Sequence, residues 1–448
     1  MDARQKFAAE VGRMRADAGL SLAKLGAAAH IERSYVHNIT TGRRWPTHAV
    51  AQGLDSALGA QGTLLKMWSR GQAERPEFVR RRDGRWSLDE SQPWRADVSQ
   101  GPALRSLPLE PATLDRPVLD WVIGNSPTPI PTDRSGQWVI DQDVHLAADM
   151  LALFRRLDHV HGAGHVRQRA VSYLATEAND LLSRPPADRS TEAALMGVAA
   201  GICEMIGYQA VDLGANGLAA HYYIAALRFA EASGDRAYGA HLIAANIAHL
   251  ALHTGNPNDA LRMVLAAQQN VHVAPSPAAR SARHAIEARV YARLRNEKAC
   301  TAALIKAESS LSQSDWEDEP AWIGYFTSAN LADETAHCMH DLGHHAQTQH
   351  IARAAVIDLD PSRVRRMAID TTLLATSLAE SGQVEEACAV GREAISHASR
   401  THSVRTRLRI NDMRRALHRY SDHRDVIALE SVVRDILQTD TAGLTVVG

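Results

Sequence analysis

Apolar positions along this chain recur at the three- and four-residue spacing of a helix face, and the pattern falls into two regimes. At the front the predicted helices are short. Phe7, Val11 and Met14 mark the first, which Gly19 can end as a C-cap. Ser21 can N-cap a second, whose Leu22 and Leu25 face the core, and Ala27-Ala28-Ala29 supplies small residues for a close helix crossing. A third helix runs from about Glu32 to Thr41, with Tyr35 and Val36 partly inward and Gly42 as its stop. Pro46 and Thr47 open a fourth holding Val50, Leu54 and Leu58, and Leu64, Leu65 and Trp68 mark a fifth.

Beyond residue 141 the pattern is helical almost throughout, with a break about every twenty residues, and the breaks themselves repeat. The shared unit is a turn residue, a small residue five positions later and an alanine seven positions after that. It reads Gly214/Ala219/Ala226, Gly255/Ala260/Ala267, Arg295/Cys300/Ala307, Gly343/Thr348/Ala355 and Gly382/Ala387/Ala394. Seven positions before each turn stands Gly207, Ala248, Ala288, Ala336 or Ala375. Small residues let two helices approach closely, the turn residue reverses the chain, and stacked hairpins bury a core that none has alone. Four leading helices over about 141 to 234 and a closing pair over about 403 to 440 extend the same superhelix.

Between the two regimes, residues 71–140 lose the period. Arg80-Arg81-Arg82, Trp86, Trp94, Trp121, Trp138 and the run Pro127-Thr128-Pro129-Ile130-Pro131 read as a partly ordered connector. Four tryptophans are too many for a solvated linker, so it is expected to lie against one of the domains. The expectation is an all-α protein: a five-helix head (1–70), the connector (71–140), an α-solenoid of stacked helical hairpins (141–440) and a short tail (441–448).

Charge sharpens the division. Residues 1–85 carry a net charge of +7 and the remainder −9, a basic head on an acidic body, as expected of a nucleic-acid end and a body that stays off the phosphates. Cys203, Cys300, Cys338 and Cys388 form no C-x-x-C pair and sit in helical patterns, so they read as small reduced core residues. No apolar run approaches a membrane span and the start is polar, which predicts a cytoplasmic protein with no membrane partner.

If the second and third helices of the head form a helix-turn-helix, the third enters the major groove. Arg33, Ser34, Tyr35, His37 and Asn38 then meet bases or flanking phosphates, Ser21 sits at the motif's entrance, and Arg43 and Arg44 stand where the backbone passes. The stretch resembles the XRE/Cro-repressor-type helix-turn-helix, particularly its actinobacterial form, at Leu20, Ser21, Leu25, Ser34, Tyr35, Ile39, Gly42, Arg44 and Pro46. It departs at Leu22, where such proteins carry a phosphate-contacting glutamine, at Glu32, where they carry a capping serine, and at Thr40, where they carry an acidic residue. The hairpins resemble tetratricopeptide repeats with longer loops. Head and body together resemble actinobacterial XRE-family regulators with C-terminal tetratricopeptide-like domains, which implies double-stranded DNA with a palindromic operator, a homodimer and a small-molecule or peptide effector.

The first helix of each hairpin lines the concave face in such repeats. Counting from the small residues places Glu204, Tyr208, His249, His253, Arg289, Arg293, Asn330, Asp333, His337 and His340 there, a polar wall of both signs. Asp315 to Phe326 interrupts the repeats and explains the one spacing of 48; its Trp322 either joins an aromatic wall over the groove or lies on a long helix started by Pro320. His337, His340 and His344 offer donors at helical spacing, but the Gly343 turn separates them, so neither a metal nor another cofactor is expected. No phosphate loop, nucleophile elbow or metalloprotease helix is present in the sequence, so no catalytic residue is assigned and an enzyme is not expected. Two readings stand: a transcriptional regulator whose repeats dimerise and sense a signal, and an adaptor whose altered head no longer reads DNA specifically.

Overall fold

The computed structural model describes residues 3–42, 46, 48–73, 79–80, 86–87, 92–110, 112–124, 134–269, 276–360, 362–401 and 403–443. Among the described residues the regular structure is helical apart from two-residue extended segments at Val79–Arg80 and Trp86–Ser87 and an isolated bridge between Val139 and Pro186. It divides into two compact units, Met1–Asp83 and Gly84–Gly448.

The first unit holds the five short helices: α1 (Ala3–Asp17), α2 (Leu22–Ala28), α3 (Arg33–Thr40), α4 (His48–Ala57) and α5 (Thr63–Ala73). Ser21 caps α2, its Oγ accepting from the Lys24 amide at 3.2 Å, while Gly19 and Gly42 turn the chain at φ +63° and +68°. Phe7, Val11, Leu25, Val36, Ile39, Leu54 and Leu64 form one buried core, each contributing about 1.5–3 kcal/mol relative to exposure. Leu22 is only half-buried.

The small residues at the crossing differ from the expected ones. Ala27 and Ala28 are exposed, and the tight positions are Gly26 and Ala29. A Cβ on Gly26 would lie 2.6 Å from the carbonyl oxygen of Ile31, and one on Gly53 of α4 3.0 Å from that of Ala29. The α2–α3 turn therefore requires glycine at 26. Buried Asp55 was not anticipated: its carboxylate accepts from the amides of Gly62 and Leu64 at 2.8 Å each, and so fixes the start of α5.

The second unit begins with α6 (Pro93–Leu104) and α7 (Ala112–Ile123), then α8 (Asp141–His161), α9 (Ala163–Tyr173), α10 (Asn179–Ser183), α11 (Arg189–Asp212) and α12 (Asn216–Ser233). Next come α13 (Arg236–His241), α14 (His249–His253), α15 (Pro257–Gln269), α16 (Pro277–Arg293), α17 (Glu297–Leu311), α18 (Ser328–Leu342) and α19 (His345–Asp358). The unit ends with α20 (Val364–Glu380), α21 (Val384–Ala398), α22 (Val404–Leu417) and α23 (Arg424–Gly443). Single π turns, Leu174–Ala178 and Leu242–Ala248, join α9 to α10 and α13 to α14.

Hairpins α11/α12, α14/α15, α16/α17, α18/α19 and α20/α21 stack in order, and their turns fall at the five expected residues, all with left-handed backbone: Gly214 (φ +76°), Gly255 (+91°), Arg295 (+57°), Gly343 (+89°) and Gly382 (+79°). Every small residue flanking those turns is buried. Gly207 shows why: a Cβ there would stand 2.7 Å from the ring of Tyr223 on the returning helix. This is the solenoid that the repeat predicts.

The connector lies against the second unit, as expected, but with more regular structure than a partly ordered segment. Residues 93–123 are two helices built onto the solenoid, α6 against α9 and α12, α7 against α12 and α15. Trp94 stacks on Phe229 with ring centroids 6.0 Å apart, and Asp97 is fully buried between Arg167 and the Tyr222 hydroxyl. Arg236 lies over the Trp121 ring at 4.4 Å. Trp138 is exposed, and the side chains of Trp86 and the arginine triplet lie outside the described residues. Nor is the chain free of long apolar runs: α11 is long and apolar enough to cross a membrane, yet 72% of its apolar stretch is buried in the core of the second unit. All four cysteines are buried and unbridged.

Candidate functional site

On the head, α3 presents Arg33, Ser34 and His37 to solvent, with Tyr35 and Asn38 half-buried beside them. Val36 and Ile39, on the opposite side, anchor the helix in the core. Glu32 occupies the N-cap position without capping any amide through its side chain; its carboxylate instead accepts from the Ser34 hydroxyl at 3.2 Å. Thr40 turns its hydroxyl back onto the carbonyls of Val36 and His37 at 3.1 Å. Beyond α3, the Trp68 indole donates to the carbonyl of Pro46 at 2.9 Å and ties the exit of the motif to α5. Arg43 and Arg44 lie outside the described residues.

Within the second unit the solenoid encloses a cavity of about 290 Å³. Nine of the eleven residues expected on the inner wall line it: Glu204, Tyr208, His249, His253, Arg289, Asn330, Asp333, His337 and Trp322. Arg293 and His340 do not. Arg293, at the end of α16, pairs with Asp341 at 3.4 Å, and His340 Nδ1 faces the Ser377 hydroxyl at 3.2 Å beside a separate depression.

The cavity is partly open to solvent, and the superhelix narrows it by closing on itself. Arg365, near the start of α20, binds Asp158 of α8 at 2.9 Å and Asp212 of α11 at 3.3 Å, and the Ser403 hydroxyl donates to Asp212 at 2.6 Å. The closure brings together residues not expected from the sequence: Arg363, Arg365 and Arg366 from α20 and its N-cap, Arg405 and Arg409 from α22, and Arg155 from the leading helix α8. No wall residue was named on the fifth hairpin, where the lining positions Arg365, Arg366 and Ile369 lie toward the start of the first helix.

Ion pairs engage every carboxylate on the wall. Glu204 meets Arg155 at 3.2 Å and accepts from the Tyr238 hydroxyl at 2.7 Å, Glu334 meets Arg289 at 2.7 Å, Asp158 meets Arg365, and Asp333 meets Arg366. Burial nonetheless raises the carboxyls of Glu204 and Asp333 above their usual range. The histidines are held neutral: burial, reinforced by Arg289 and only partly offset by Glu334, pushes His249 down to about 3, and His337 is driven well below its ordinary value by burial and then Arg289. The Nε2 atoms of His249 and His253 lie 2.9 Å apart.

The interruption at 315–326 forms an aromatic wall, and α18 starts at Ser328 rather than at Pro320. Trp322 stacks on Tyr238 at 5.0 Å and donates to Asp235 at 3.1 Å, while Tyr325 faces His241 Nε2 at 3.3 Å. The π turn Leu242–Ala248 swings Ala245 and Asn246 toward the cavity, where α-helical continuation would place other residues.

For a cation, Asp333, His337 and Asp370 each bring one donor atom to within 4.8 Å of the others. Arg366, paired with both carboxylates, already supplies positive charge there. The sequence-level donors part company, His344 turning to Glu297 at 3.0 Å.

Residues 6–68 match the helix-turn-helix domain family. The head of the chain is thus an N-terminal helix-turn-helix, DNA-binding domain, with α2 and α3 as its two motif helices. Searches of curated proteins and of solved structures found no match.

Proposed function

We propose that this protein is a sequence-specific transcriptional regulator whose helix-turn-helix domain reads a palindromic operator and whose tetratricopeptide-like body dimerises and takes up an effector. The observation that carries this reading is α3 of a matched helix-turn-helix, anchored by Val36 and Ile39 and presenting Arg33, Ser34 and His37 outward. On a duplex, Arg33 and His37 read base edges, while Ser21, Tyr35, Asn38, Arg43 and Arg44 position the domain on the backbone. One head makes few contacts, so specific affinity comes from two heads on one operator.

The body, under this reading, is a sensor of the kind seen in actinobacterial XRE-family regulators, acting in the cytoplasm. Its cavity is a binding site rather than a catalytic one. This is supported by the ion pairs that engage its carboxylates and by the burial that keeps its histidines neutral. An effector seated there touches α8, α11, α14, α16, α18, α20 and α22 at once, and therefore biases the curvature of the solenoid and the spacing of the heads.

The test is gel-shift binding of the full chain to DNA upstream of its own gene, at two salt concentrations and against unrelated competitor. Saturable, competitor-resistant binding to one segment supports the regulator. A second reading, the adaptor, draws on Glu32, whose carboxylate stands at the entrance of α3 where phosphates would approach. Weak binding lost equally to any competitor would favour it.

A further inference from the structure

The cavity carries more positive charge than its own carboxylates can neutralise. Seven arginines line it against four carboxylates, and Asp212 and Asp370 behind the wall serve Arg365 and Arg366 as further partners. Arg405 makes no ion pair among the described residues; its guanidinium lies over the Tyr208 ring at 5.6 Å, beside Arg365 at 4.9 Å over the same ring. Arg409, one turn along α22, is paired among the described residues with Asp412 of its own helix alone, at 3.5 Å, which Arg415 also claims. Burial and then the charges of Arg289 and Arg405 lower the basicity of Arg409, and Asp412 and Asp341 offset this only in part.

The surplus is at one end. Glu204 and Tyr208 stand on one face of α11, about 6 Å apart along its axis. At Glu204 the neighbours are Arg155, which it neutralises, Tyr238 and, stacked on the latter, Trp322; at Tyr208 they are Arg365 and Arg405. We propose that the cavity binds a small organic anion, its carboxylate or phosphate seated against Arg405 and Arg409 and its apolar body laid on Trp322 and Tyr325. Arginine suits this role because its planar fork meets either head group with two parallel hydrogen bonds. The proposal rests on the reading of the cavity as an effector site.

The probes are three naphthalenes differing in charge: 1-naphthaleneacetate, 1-naphthyl phosphate and 1-naphthalenemethylammonium, titrated calorimetrically into the full chain without DNA. The expected result is saturable binding of at least one anion, at least tenfold tighter than the cation, and a tenfold or greater loss in Arg405→Met that circular dichroism shows to be folded. The stronger of the two anions identifies the head group. Equal binding of the cation, no saturable binding of either anion in the millimolar range, or undiminished binding by Arg405→Met/Arg409→Met would overturn the proposal. Because no DNA is present, these outcomes stand apart from the gel shift.

A different observation, on the outside of α8, bears on self-association. Its inner face, Val144, Ala147, Leu151, Phe154 and Asp158, is buried in the solenoid. A second apolar row, Leu146, Met150, Leu153, Leu157 and Val160, follows the alternating four and three spacing of a coiled-coil seam, and Leu146, Leu153 and Val160 are 63%, 37% and 44% exposed. Asp149 and Arg156 flank this row on one side, both exposed and neither ion-paired among the described residues. In an antiparallel pairing of two α8 helices centred on Leu153, each Asp149 meets the partner's Arg156, so the surface complements itself.

We infer that α8 is the homodimer interface, occupied by a second copy of this chain. Sedimentation velocity is the test. The wild type should be a dimer at micromolar concentration, Asp149→Arg, Arg156→Asp and Leu153→Asp should each shift it toward monomer, and Asp149→Arg/Arg156→Asp together should restore the dimer. A monomeric wild type, or a dimer indifferent to Leu153→Asp, would refute the assignment.

Discussion

Arg365 and Asp158 meet at 2.9 Å although 207 positions separate them, and both are buried. This contact, with Asp212 as second acceptor, joins the fifth hairpin to the first helix of the solenoid and draws the concave face around the cavity.

Removing the cation leaves two carboxylates buried without compensation. Arg365→Met should cost about 3–5 kcal/mol in urea unfolding. Adding Asp158→Asn should recover part of that loss, because the double change removes one of the stranded charges. Additive losses would show that the two residues do not act as a pair.

The turn between α2 and α3 has no room for a side chain at Gly26. Gly26→Ala should destabilise the helix-turn-helix domain by about 1–3 kcal/mol and weaken DNA binding while leaving the solenoid's unfolding transition in place. Two transitions followed by circular dichroism would separate the effects, and an unchanged head would contradict the packing described here.

Arg295 is the one turn residue of the five that is not glycine, at φ +57°. Left-handed backbone costs an L-residue roughly 1 kcal/mol, and glycine gives part of that back in unfolded-state freedom. Arg295→Gly should be neutral to slightly stabilising, whereas Gly255→Ala at the equivalent turn should destabilise by about 1 kcal/mol. Thermal unfolding of both variants tests the repeat register itself.

His241 is fully buried, and burial followed by the charges of Arg283 and Arg155 pushes it down to about 3 from an ordinary 6.5. Between those values the unfolded chain binds a proton that the folded one refuses. The stability that neutral His241 supports is therefore fully present above pH 6.5 and is lost as pH falls toward 3, by about 1.4 kcal/mol per pH unit. His241→Gln should flatten the fall in urea midpoint between pH 6.5 and pH 4.5 by about one proton's worth. An unaltered slope would mean that His241 is not held neutral.

The repeat was legible because close helix crossings demand small residues at fixed distances from a turn, and that demand is local. Gly207, Ala248, Ala288, Ala336 and Ala375 all proved buried. The inner wall followed from the same count through Glu204, Tyr208, His249, His253, Arg289 and His337. It failed at Arg293 and His340 and missed Arg365 and Arg405, because the solenoid advances along its axis and the cavity layer slides toward the start of each successive helix. That slide is a property of stacking, which no single hairpin encodes. The connector's tryptophans pointed to packing against a domain, but its two helices and their partners were not legible: Trp94 and Asp97 are recognisable as core only once Phe229, Arg167 and Tyr222 are in place around them. In the head, Gly26 was passed over for the alanines beside it because composition shows small residues but not which one the backbone crosses.

The most direct test of sequence-specific DNA reading is selection of duplexes from a random pool by the full chain, in parallel with Arg33→Ala. A two-fold symmetric motif that the wild type enriches, and that loses definition at one position per half-site in Arg33→Ala, is the predicted result. No enrichment by the wild type over successive rounds, with binding that only follows salt, would contradict it.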